Sequence, residues 1–364
     1  MTRLGMASAT GGRRRIAALA AAVAGVAFAT PALLASGPAG ATTATHAVVG
    51  APYRHGLVPM RGYRTTAAAC STLCVKYGGG IDNVGVTNGK EKVYLVFWGT
   101  QWGTAGTNSA GYTTYSGDSQ GMAVILQELF KGLGSSLDKW SAVVTQYCQG
   151  VATGATTCPS TASHVAYPTG GALAGVWEDI AGPSPVQSTG HQLAVEAEAA
   201  AAHFGNTTAA LNRDAQYVIV SPTGTNPDNY KLAGFCAWHD YSLDSTLDGG
   251  GAASGPAIAF TNLPYVTDVG KGCGAGAVDG KNTDGITIIE GQQYADTVTD
   301  QFPAGGWVNS SGEQVGDLCA WKTSGAGRMA DITLSTGTFA MQGIWSNSAT
   351  QGLGGCATSG RIIR

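Results

Sequence analysis

The segment Val93-Tyr-Leu-Val-Phe-Trp98 is an unbroken apolar run that ends at Gly99. A short run of aliphatic and aromatic residues bounded by glycine predicts a buried β-strand. Working outward from it, the same criteria predict further strands at Trp140–Tyr147, Tyr217–Val220, Ala257–Phe260 and Phe339–Trp345. Buried strands of this kind are the centre around which a globular fold is built.

Helices are predicted between these strands, from apolar residues that recur every three or four positions and from capping residues. The first runs from Met122 to about Gly132, with Asp118 or Ser119 as its N-cap. The others span His191 to Phe204 and Ile286 to about Asp300. Strands and helices alternate without a regular βαβ period, so we expect a mixed α/β (α+β) fold in a single loop-rich domain.

The N-terminus has the pattern of a secretory signal peptide. Four arginines between Arg3 and Arg15 precede an uncharged stretch from Ile16 to about Ala29, and Ala39-Gly40-Ala41 fits the A-x-A cleavage pattern. The apolar run is shorter than the roughly 20 residues that span a membrane, which disfavours the alternative of an uncleaved membrane helix. We therefore predict a signal peptide over residues 1–41 and a secreted, extracellular protein. The general secretory and twin-arginine routes both stay open.

Removal of residues 1–41 leaves 323 residues, with 16 basic and 23 acidic side chains and a net charge of −7. We divide them into an N-terminal segment, 42–90, and a main domain, 91–364. The acidic balance argues against nucleic acid or a membrane surface as partner, because phosphate binding needs clustered lysine and arginine. The 55 glycines and 12% charged residues predict long loops, and 44% apolar residues argue against disorder.

The cysteines predict a disulfide framework. An even number of cysteines in an exported chain is typical of disulfide bonding. The eight are Cys70, Cys74, Cys148, Cys158, Cys236, Cys273, Cys319 and Cys356. Their spacing suggests sequential pairs: Cys70–Cys74, Cys148–Cys158, Cys236–Cys273 and Cys319–Cys356. A structural zinc cluster is the alternative, but the close pair Cys70 and Cys74 has no second close pair beside it.

The most informative stretch for function is Glu290-Gly-Gln-Gln-Tyr-Ala-Asp-Thr-Val-Thr-Asp300. Residues four apart on a helix share a face, so Gln292, Asp296 and Asp300 align, with Gln293 beside them. Further on, the chain contains Gly306-Trp307 and Gly316-Asp-Leu-Cys-Ala-Trp321.

These motifs resemble those of secreted bacterial zincin-like proteins, which carry a helix reading H-E-Y-A-E-x-x-T-D followed by Gly-Trp and G-D-x-C-A-W. The resemblance extends from about Val93 to Cys356 and includes Gly190–Val195 and Phe235–His239. More remotely, the layout is similar to that of the plant phosphate-induced protein 1 (EXORDIUM) group. The first resemblance implies a zincin-like, disulfide-stapled domain and a relationship to zinc metallopeptidases.

Carried over residue by residue, the histidine of the family pattern falls on Gln292, the glutamate on Gln293 and the second acid on Asp296. An amide oxygen is a poor zinc ligand, and Gln293 cannot act as the general base that this glutamate would supply. The metal helix is therefore interpreted as degenerate. The resemblance then implies a weak or inactive hydrolase that acts as an extracellular binding or surface protein.

Two other interpretations of this helix stay open. It could be a polar helix with Asp296 and Asp300 in solvent, since exposed carboxylates are common on helices. Alternatively, Asp296, Asp300, Glu313 and Asp317 could converge on calcium, which accepts several oxygen ligands. Gln292, Asp296, Asp300 and Asp317 are thus the candidate metal positions, with zinc or calcium as the candidate ions.

Two further residues are candidates for catalysis besides Gln293. His239 lies in Cys236-Ala-Trp-His-Asp240, which we expect to be a loop beside a disulfide. Ser119 lies in Gly117-Asp-Ser-Gln-Gly121, a match to G-x-S-x-G, and a serine hydrolase using Ser119 with His191 or His239 is the alternative. The segment before Ser119 is not a core strand, and N-capping explains the same residues.

Aromatic residues give the last indication of function. Seven of the eight tryptophans are considered as candidate contacts, several of them in glycine-rich segments: Trp98, Trp102, Trp177, Trp238, Trp307, Trp321 and Trp345. Exposed tryptophan can stack on sugars or peptides, although most tryptophans fill cores. We therefore predict an extracellular protein, peptide or glycan ligand, with an active secreted hydrolase as the alternative.

Overall fold

The protein is described by a computed structural model over residues 46–47, 51–64, 72–135 and 138–363. The predicted signal peptide and its cleavage site lie outside these residues. Thr45–Arg364 form one compact unit, which includes most of the N-terminal segment that was set apart as residues 42–90.

A six-stranded sheet forms the centre of the part of the chain that the structure describes. Its strands are β1 (His55–Pro59), β2 (Lys92–Trp98), β3 (Leu173–Asp179), β4 (Ala215–Val220), β5 (Phe235–Tyr241) and β6 (Ala259–Leu263). Their order across the sheet is β3-β2-β4-β6-β5-β1. Neighbours from β3 to β6 are parallel, whereas β5 is antiparallel to both β6 and β1. The predicted mixed α/β class is confirmed, and the zincin-like form stays a prediction.

Three of the six strands follow from the sequence and three do not. The expected strands at Val93–Trp98, Tyr217–Val220 and Ala257–Phe260 correspond to β2, β4 and β6. Strands β1 and β3 contain glycine, proline or acidic residues and lack a clear apolar period. Strand β5 was expected to be a loop around His239, but it is a buried strand between two neighbours.

The three long helices lie close to their predicted positions. They are α1 (Met122–Gly132), α2 (Gly190–His203) and α3 (Asp284–Thr299). The Asp118 carboxylate accepts hydrogen bonds from the N–H groups of Met122 and Ala123, which satisfies donors of the first turn of α1. Helix α2 begins with a capping box formed by Thr189 and Gln192. Short helical turns occur at Tyr230–Ala233 and Ala349–Gly352.

Two of the predicted strands differ from the structure. Trp140–Tyr147 is not a strand, because Ser141–Gln146 forms a 3-10 helix. The Asp138 carboxylate accepts from the Ser141 N–H, and the Thr145 hydroxyl donates to the Ala142 carbonyl, so local bonds replace a strand ladder. The expected strand Phe339–Trp345 is divided into Gly337–Met341 and Ile344–Ser346.

Small two-stranded sheets surround the central one. Gly337–Met341 pairs with Ala330–Leu334, and Ile344–Ser346 pairs with Gly355–Ala357. The others pair Ala105–Thr107 with Thr113–Tyr115, Cys148–Gln149 with Ser163–His164, Lys76–Tyr77 with Trp307–Val308, and His46–Ala47 with Tyr63–Arg64. These pairings tie the long loops to the domain.

Helix α3 is buried on every side, and the interpretation of a solvent-facing polar helix is therefore wrong. All of its residues from Asp284 to Thr299 are buried. The helix lies between the sheet, which it contacts through β1, β5 and β6, and a second layer formed by α1 and the Gly337–Met341 strand. Even Glu290 is enclosed, and burial raises the pKa of its carboxyl well above the usual value.

The described disulfides join the cysteine pairs that the spacing in the sequence predicted. The described residues contain the bonds Cys148–Cys158, Cys236–Cys273 and Cys319–Cys356. Cys74 is also disulfide-bonded, and its predicted partner, Cys70, lies outside the described residues. A search of the described residues for a helix of the length and apolar character needed to cross a bilayer finds none.

Candidate functional site

Helix α3 delivers a set of polar side chains to the interior of the protein. Gln292, Gln293 and Asp296 are fully buried on the helix, and Asp300 follows directly after its last turn. The loop after the helix returns past them and adds Gln314 and Asp317. The structure thus brings the predicted positions of α3 together with Asp317, as the sequence pattern suggested.

The side chain of Gln292 is hydrogen-bonded to the carboxylate of Asp317, which is one of the candidate metal ligands. Its Nε2 donates to Oδ1 of Asp317 at 2.8 Å, and the main-chain N–H of Gln314 donates to Oδ2 of the same residue at 2.9 Å. Both Asp317 oxygens therefore accept hydrogen bonds from protein donors. Burial raises the pKa of Asp317 to about 7.

Gln293 connects α3 to the edge of the sheet. Its Nε2 donates to the main-chain oxygen of Gly56 in β1, and its Oε1 is buried without a hydrogen-bond partner. The position that the family pattern assigns to a general base therefore holds a neutral amide that contacts the backbone. Such a side chain can position β1, but it cannot take a proton from water.

Asp296 and Asp300 are enclosed carboxyl groups with backbone donors. The Gly316 N–H donates to Oδ1 of Asp296 at 2.6 Å, while Oδ2 of Asp296 has no partner. Burial, and then repulsion by Asp317, raises the pKa of Asp296 well above its ordinary value. Asp300 accepts from the Ala304 and Gly306 N–H groups, and burial raises its pKa to about 7.

His239 faces the same cluster from β5, but an amide separates it from the acid. Its Nε2 lies 2.7 Å from Oε1 of Gln314, and Nε2 of Gln314 donates to Oδ2 of Asp300 at 2.7 Å. Burial lowers the pKa of His239 to about 3, so the ring is neutral and its Nε2–H donates to Gln314. An amide cannot accept the proton, so His239 and Asp300 do not form an acid–base dyad.

The α3 positions do not suit zinc or calcium. Gln292 and Gln293 use their N–H groups on Asp317 and Gly56, and each leaves only a neutral amide oxygen, which is a poor zinc ligand, without a partner. Asp296, Asp300 and Asp317 each accept main-chain hydrogen bonds, and they do not belong to the group whose ligand atoms have the spacing of a metal site. Glu313, the remaining calcium candidate, accepts a hydrogen bond from Asn309 instead.

Within the described ranges, one group of His, Cys, Asp or Glu side chains has the spacing of a metal site, and it lies elsewhere. It consists of His55 at the start of β1, Asp240 near the end of β5, and Asp244, with ligand atoms within 4.8 Å of one another. The sequence motif around His239 includes Asp240, but no pattern in the sequence pointed to His55 or Asp244. A local motif could not have revealed them, because His55 is remote from Asp240 in the chain.

A groove of about 830 Å³ opens beside these residues. Strand β1 forms one wall through His55, Gly56, Leu57 and Pro59, and the 311–321 loop forms the other. Trp321 and Asp317 line the loop side, whereas Trp102, Trp238 and Trp307 are buried in the core. Trp321 is therefore the tryptophan that can meet a ligand in this groove.

Ser119 lies apart from this region. It precedes α1 and lines a smaller depression with Gln120 and Tyr265. His191 Nδ1 lies 3.1 Å from the Gly250 carbonyl, and His239 is held by Gln314. Ser119 and the two histidines thus occupy different environments, which gives the serine-hydrolase alternative no geometric support.

Comparison of the chain with models of known protein families, with curated proteins and with solved structures found no match.

Proposed function

We propose that the protein is an extracellular binding protein that holds an extended peptide in the groove along β1. The observation that carries the proposal is that the groove wall is the edge of the central sheet. Strand β1 is the last strand in the sheet order and pairs with β5 on one side. An extended peptide can add to an edge strand as a further strand by pairing with its free main-chain groups. In β1 the Gly56 and Pro59 oxygens already accept from Gln293 and Trp321, so a peptide would pair through the other main-chain groups of the strand.

The side chains around the groove fit a peptide of mixed character. Leu57 and Trp321 supply apolar surface, and the Arg61 guanidinium lies 5.9 Å from the Trp321 ring centre. Glu313 and Asp317 place acidic groups on the opposite side. Aromatic and arginine side chains are enriched where proteins bind partners, and charges at the rim select orientation.

The α3 cluster supports a binding role over a zinc-peptidase role. Gln293 cannot act as a base, and Gln314 interrupts the path from His239 to Asp300. The disulfides among the described residues support an oxidising, extracellular location. The zincin-like kinship rests on the sequence motifs and stays a prediction, as does the signal peptide.

The proposal is tested by selecting random twelve-residue peptides displayed on phage against the purified mature protein and then titrating an enriched peptide. We expect Leu57→Glu and Arg61→Glu to weaken binding at least tenfold. Two matched controls, Leu232→Glu and Arg328→Glu, change exposed residues outside the groove and should leave binding within twofold.

Two results would contradict the proposal. One is a failure to enrich any peptide. The other is an enriched peptide that binds the groove variants as tightly as the wild type. Circular dichroism of each variant confirms that it is folded before the titration is interpreted.

A second function, an acid-pair hydrolase, is favoured by one observation. Burial, and then repulsion from Asp317, raises the pKa of Asp296, and Asp317 reaches the groove. Paired carboxyls with separated pKa values are an arrangement used in acid–base catalysis. This function predicts casein cleavage that is abolished by Asp317→Asn and is insensitive to chelators. If the wild type leaves casein intact from pH 3 to pH 8, the hydrolase is excluded.

A further inference from the structure

Three ligand-type side chains meet where β1 and β5 run side by side at the end of the groove. His55 pairs in register with His239 across the two strands, which places it beside the next residue, Asp240. The Nε2 atom of His55 lies 4.0 Å from Oδ2 of Asp240. Asp244 completes the group, with ligand atoms within 4.8 Å of one another.

The Asp240 carboxylate points an unsatisfied oxygen into this group. Its side chain is 0% exposed, and no N–H group donates to its Oδ2. Burial and the neighbouring Asp244 carboxyl, which is close enough to hydrogen-bond when one of the two acids is protonated, raise the pKa of Asp240 well above its usual range. The His55 nitrogen is too distant to serve, because a charge-assisted hydrogen bond requires about 2.7–2.9 Å. A buried carboxylate oxygen without a donor is costly. A cation between Asp240 and His55 would remove that cost.

One oxygen of each of the two acids is held in place by a main-chain N–H group. Oδ1 of Asp240 accepts from the Tyr241 N–H at 2.8 Å, and Oδ1 of Asp244 accepts from the Thr246 N–H at 2.7 Å. Such outer bonds are typical of ligating carboxylates, because they fix the orientation of the free oxygen. Both acids are therefore oriented before any ion arrives.

An ion can reach the group from solvent. The His55 side chain is 26% exposed and lines the groove, whereas Asp240 lies behind it. No cysteine among the described residues is free, so a thiol does not compete for the metal there. The group thus has an entrance on one side and buried oxygen on the other.

We propose that His55, Asp240 and Asp244 bind one divalent transition-metal ion, with zinc the best fit. Imidazole nitrogen with carboxylate oxygen suits zinc, whereas calcium and magnesium prefer ligand sets made of oxygen. Three protein ligands leave a fourth position that opens to the groove. This site is distinct from the α3 positions and does not depend on the proposed peptide-binding function.

The spacing requires only a small adjustment. Ligand bonds of about 2.0–2.1 Å in tetrahedral geometry place neighbouring ligand atoms roughly 3.3 Å apart. The observed separations are 4.0 Å between His55 and Asp240 and up to 4.8 Å within the group, so the partly exposed His55 ring would have to move toward the two acids. The group is therefore slightly wider than a zinc-bound site and still within reach of it.

The test uses the tag-free mature protein, stripped with EDTA and titrated with zinc chloride. Elemental analysis after dialysis should find one zinc per chain, and calorimetry should give micromolar or tighter affinity. We expect His55→Gln and Asp240→Asn each to weaken binding at least tenfold. The controls His164→Gln and Asp248→Asn, which change residues outside the group, should stay within twofold of the wild type.

Cobalt(II) provides a second readout that does not depend on affinity alone. Cobalt bound by one imidazole and two carboxylates should give visible absorption bands that disappear in His55→Gln. Unchanged thermal unfolding of metal-free His55→Gln would show that the loss is not due to misfolding. The same comparison of thermal unfolding is needed most for Asp240→Asn, because Asp240 is fully buried.

The proposal is overturned if the wild type binds no stoichiometric zinc, or if His55→Gln and Asp240→Asn both retain it. It is also overturned if zinc is lost in Asp296→Asn but kept in His55→Gln, which would place the ion on α3. Casein cleavage by the zinc-loaded protein would contradict the proposed binding function and leave this metal site intact. The two proposals therefore fail separately.

Discussion

The side-chain amide of Gln293 on α3 donates a hydrogen bond to the main-chain oxygen of Gly56 on the edge strand β1. This bond joins the buried helix to the strand that forms the groove wall. It also occupies the position at which the family pattern has a glutamate. The stability and shape of the groove therefore depend on the neutral character of residue 293.

Gln293→Glu should destabilise the fold, because a carboxylate would face the Gly56 carbonyl with no donor between them. We expect a loss of about 2–4 kcal/mol in the free energy of unfolding at pH 8. Burial raises the pKa of such a carboxyl, so the loss should shrink at pH 5, where the acid is protonated and can donate. Urea denaturation at the two pH values measures this. Gln187→Glu, at an exposed loop residue, is the control and should change stability by less than about 0.5 kcal/mol.

Gly56→Ala should be destabilising for two reasons. The backbone of Gly56 has a φ of 55°, and an added Cβ would overlap the His239 ring and Oε1 of Gln314. We expect a loss of at least about 2 kcal/mol in urea denaturation. Gly150→Ala is the matched control, since Gly150 also has positive φ but open space around its Cβ position. It should lose only about 1 kcal/mol. Equal losses would show that the contact with His239 is unimportant.

Glu91→Gln should change the dependence of stability on pH. Burial, followed by repulsion from Asp214, raises the pKa of Glu91 to about 8, and both carboxylate oxygens lack partners. A group whose folded pKa exceeds its unfolded value of about 4.3 favours folding most at low pH. Its contribution is lost as the pH rises toward 8.

The unfolding free energy of Glu91→Gln relative to the wild type should therefore rise by about 2 kcal/mol between pH 6 and pH 9. Denaturation curves at pH 6, 7, 8 and 9 measure the slope. Asp248→Asn, at an exposed carboxylate, serves as the control and should run parallel to the wild type. A parallel curve for Glu91→Gln would mean that this carboxyl titrates normally in the folded protein.

The disulfides should contribute unequally to stability. Cys236–Cys273 closes a separation of 37 residues, and Cys148–Cys158 closes one of 10. Chain entropy then predicts that replacing both cysteines by alanine costs about 4 kcal/mol for the first bond and about 3 kcal/mol for the second. Thermal unfolding of the two double variants gives the order. A larger loss for Cys148–Cys158 would show that native contacts, rather than loop length, dominate.

The elements that are marked by patterns of neighbouring residues could be predicted from the sequence. The apolar run of β2 predicted its strand, the helical pattern from His191 to Phe204 predicted α2, and the even cysteine count with sequential spacing predicted the three described disulfides. These features depend on neighbouring residues, so periodicity and capping are sufficient to find them. The same local criteria failed for residues 140–147, where the Ser141 N–H donates to Asp138 and the Thr145 hydroxyl donates to the Ala142 carbonyl, which favours a 3-10 helix.

The burial and the hydrogen-bond partners of the polar residues of α3 depend on the tertiary structure and could not be predicted from the sequence. The polar face of this helix is compatible with solvent exposure in the sequence, yet the whole helix is buried here, and Asp317 and Gly56 from distant segments accept hydrogen bonds from Gln292 and Gln293. Gln314 lies between His239 and Asp300 because the loop after α3 folds back over the helix. His55 lies beside Asp240 because β1 pairs with β5. Such contacts join residues far apart in the chain, and their energies depend on packing that no local pattern encodes.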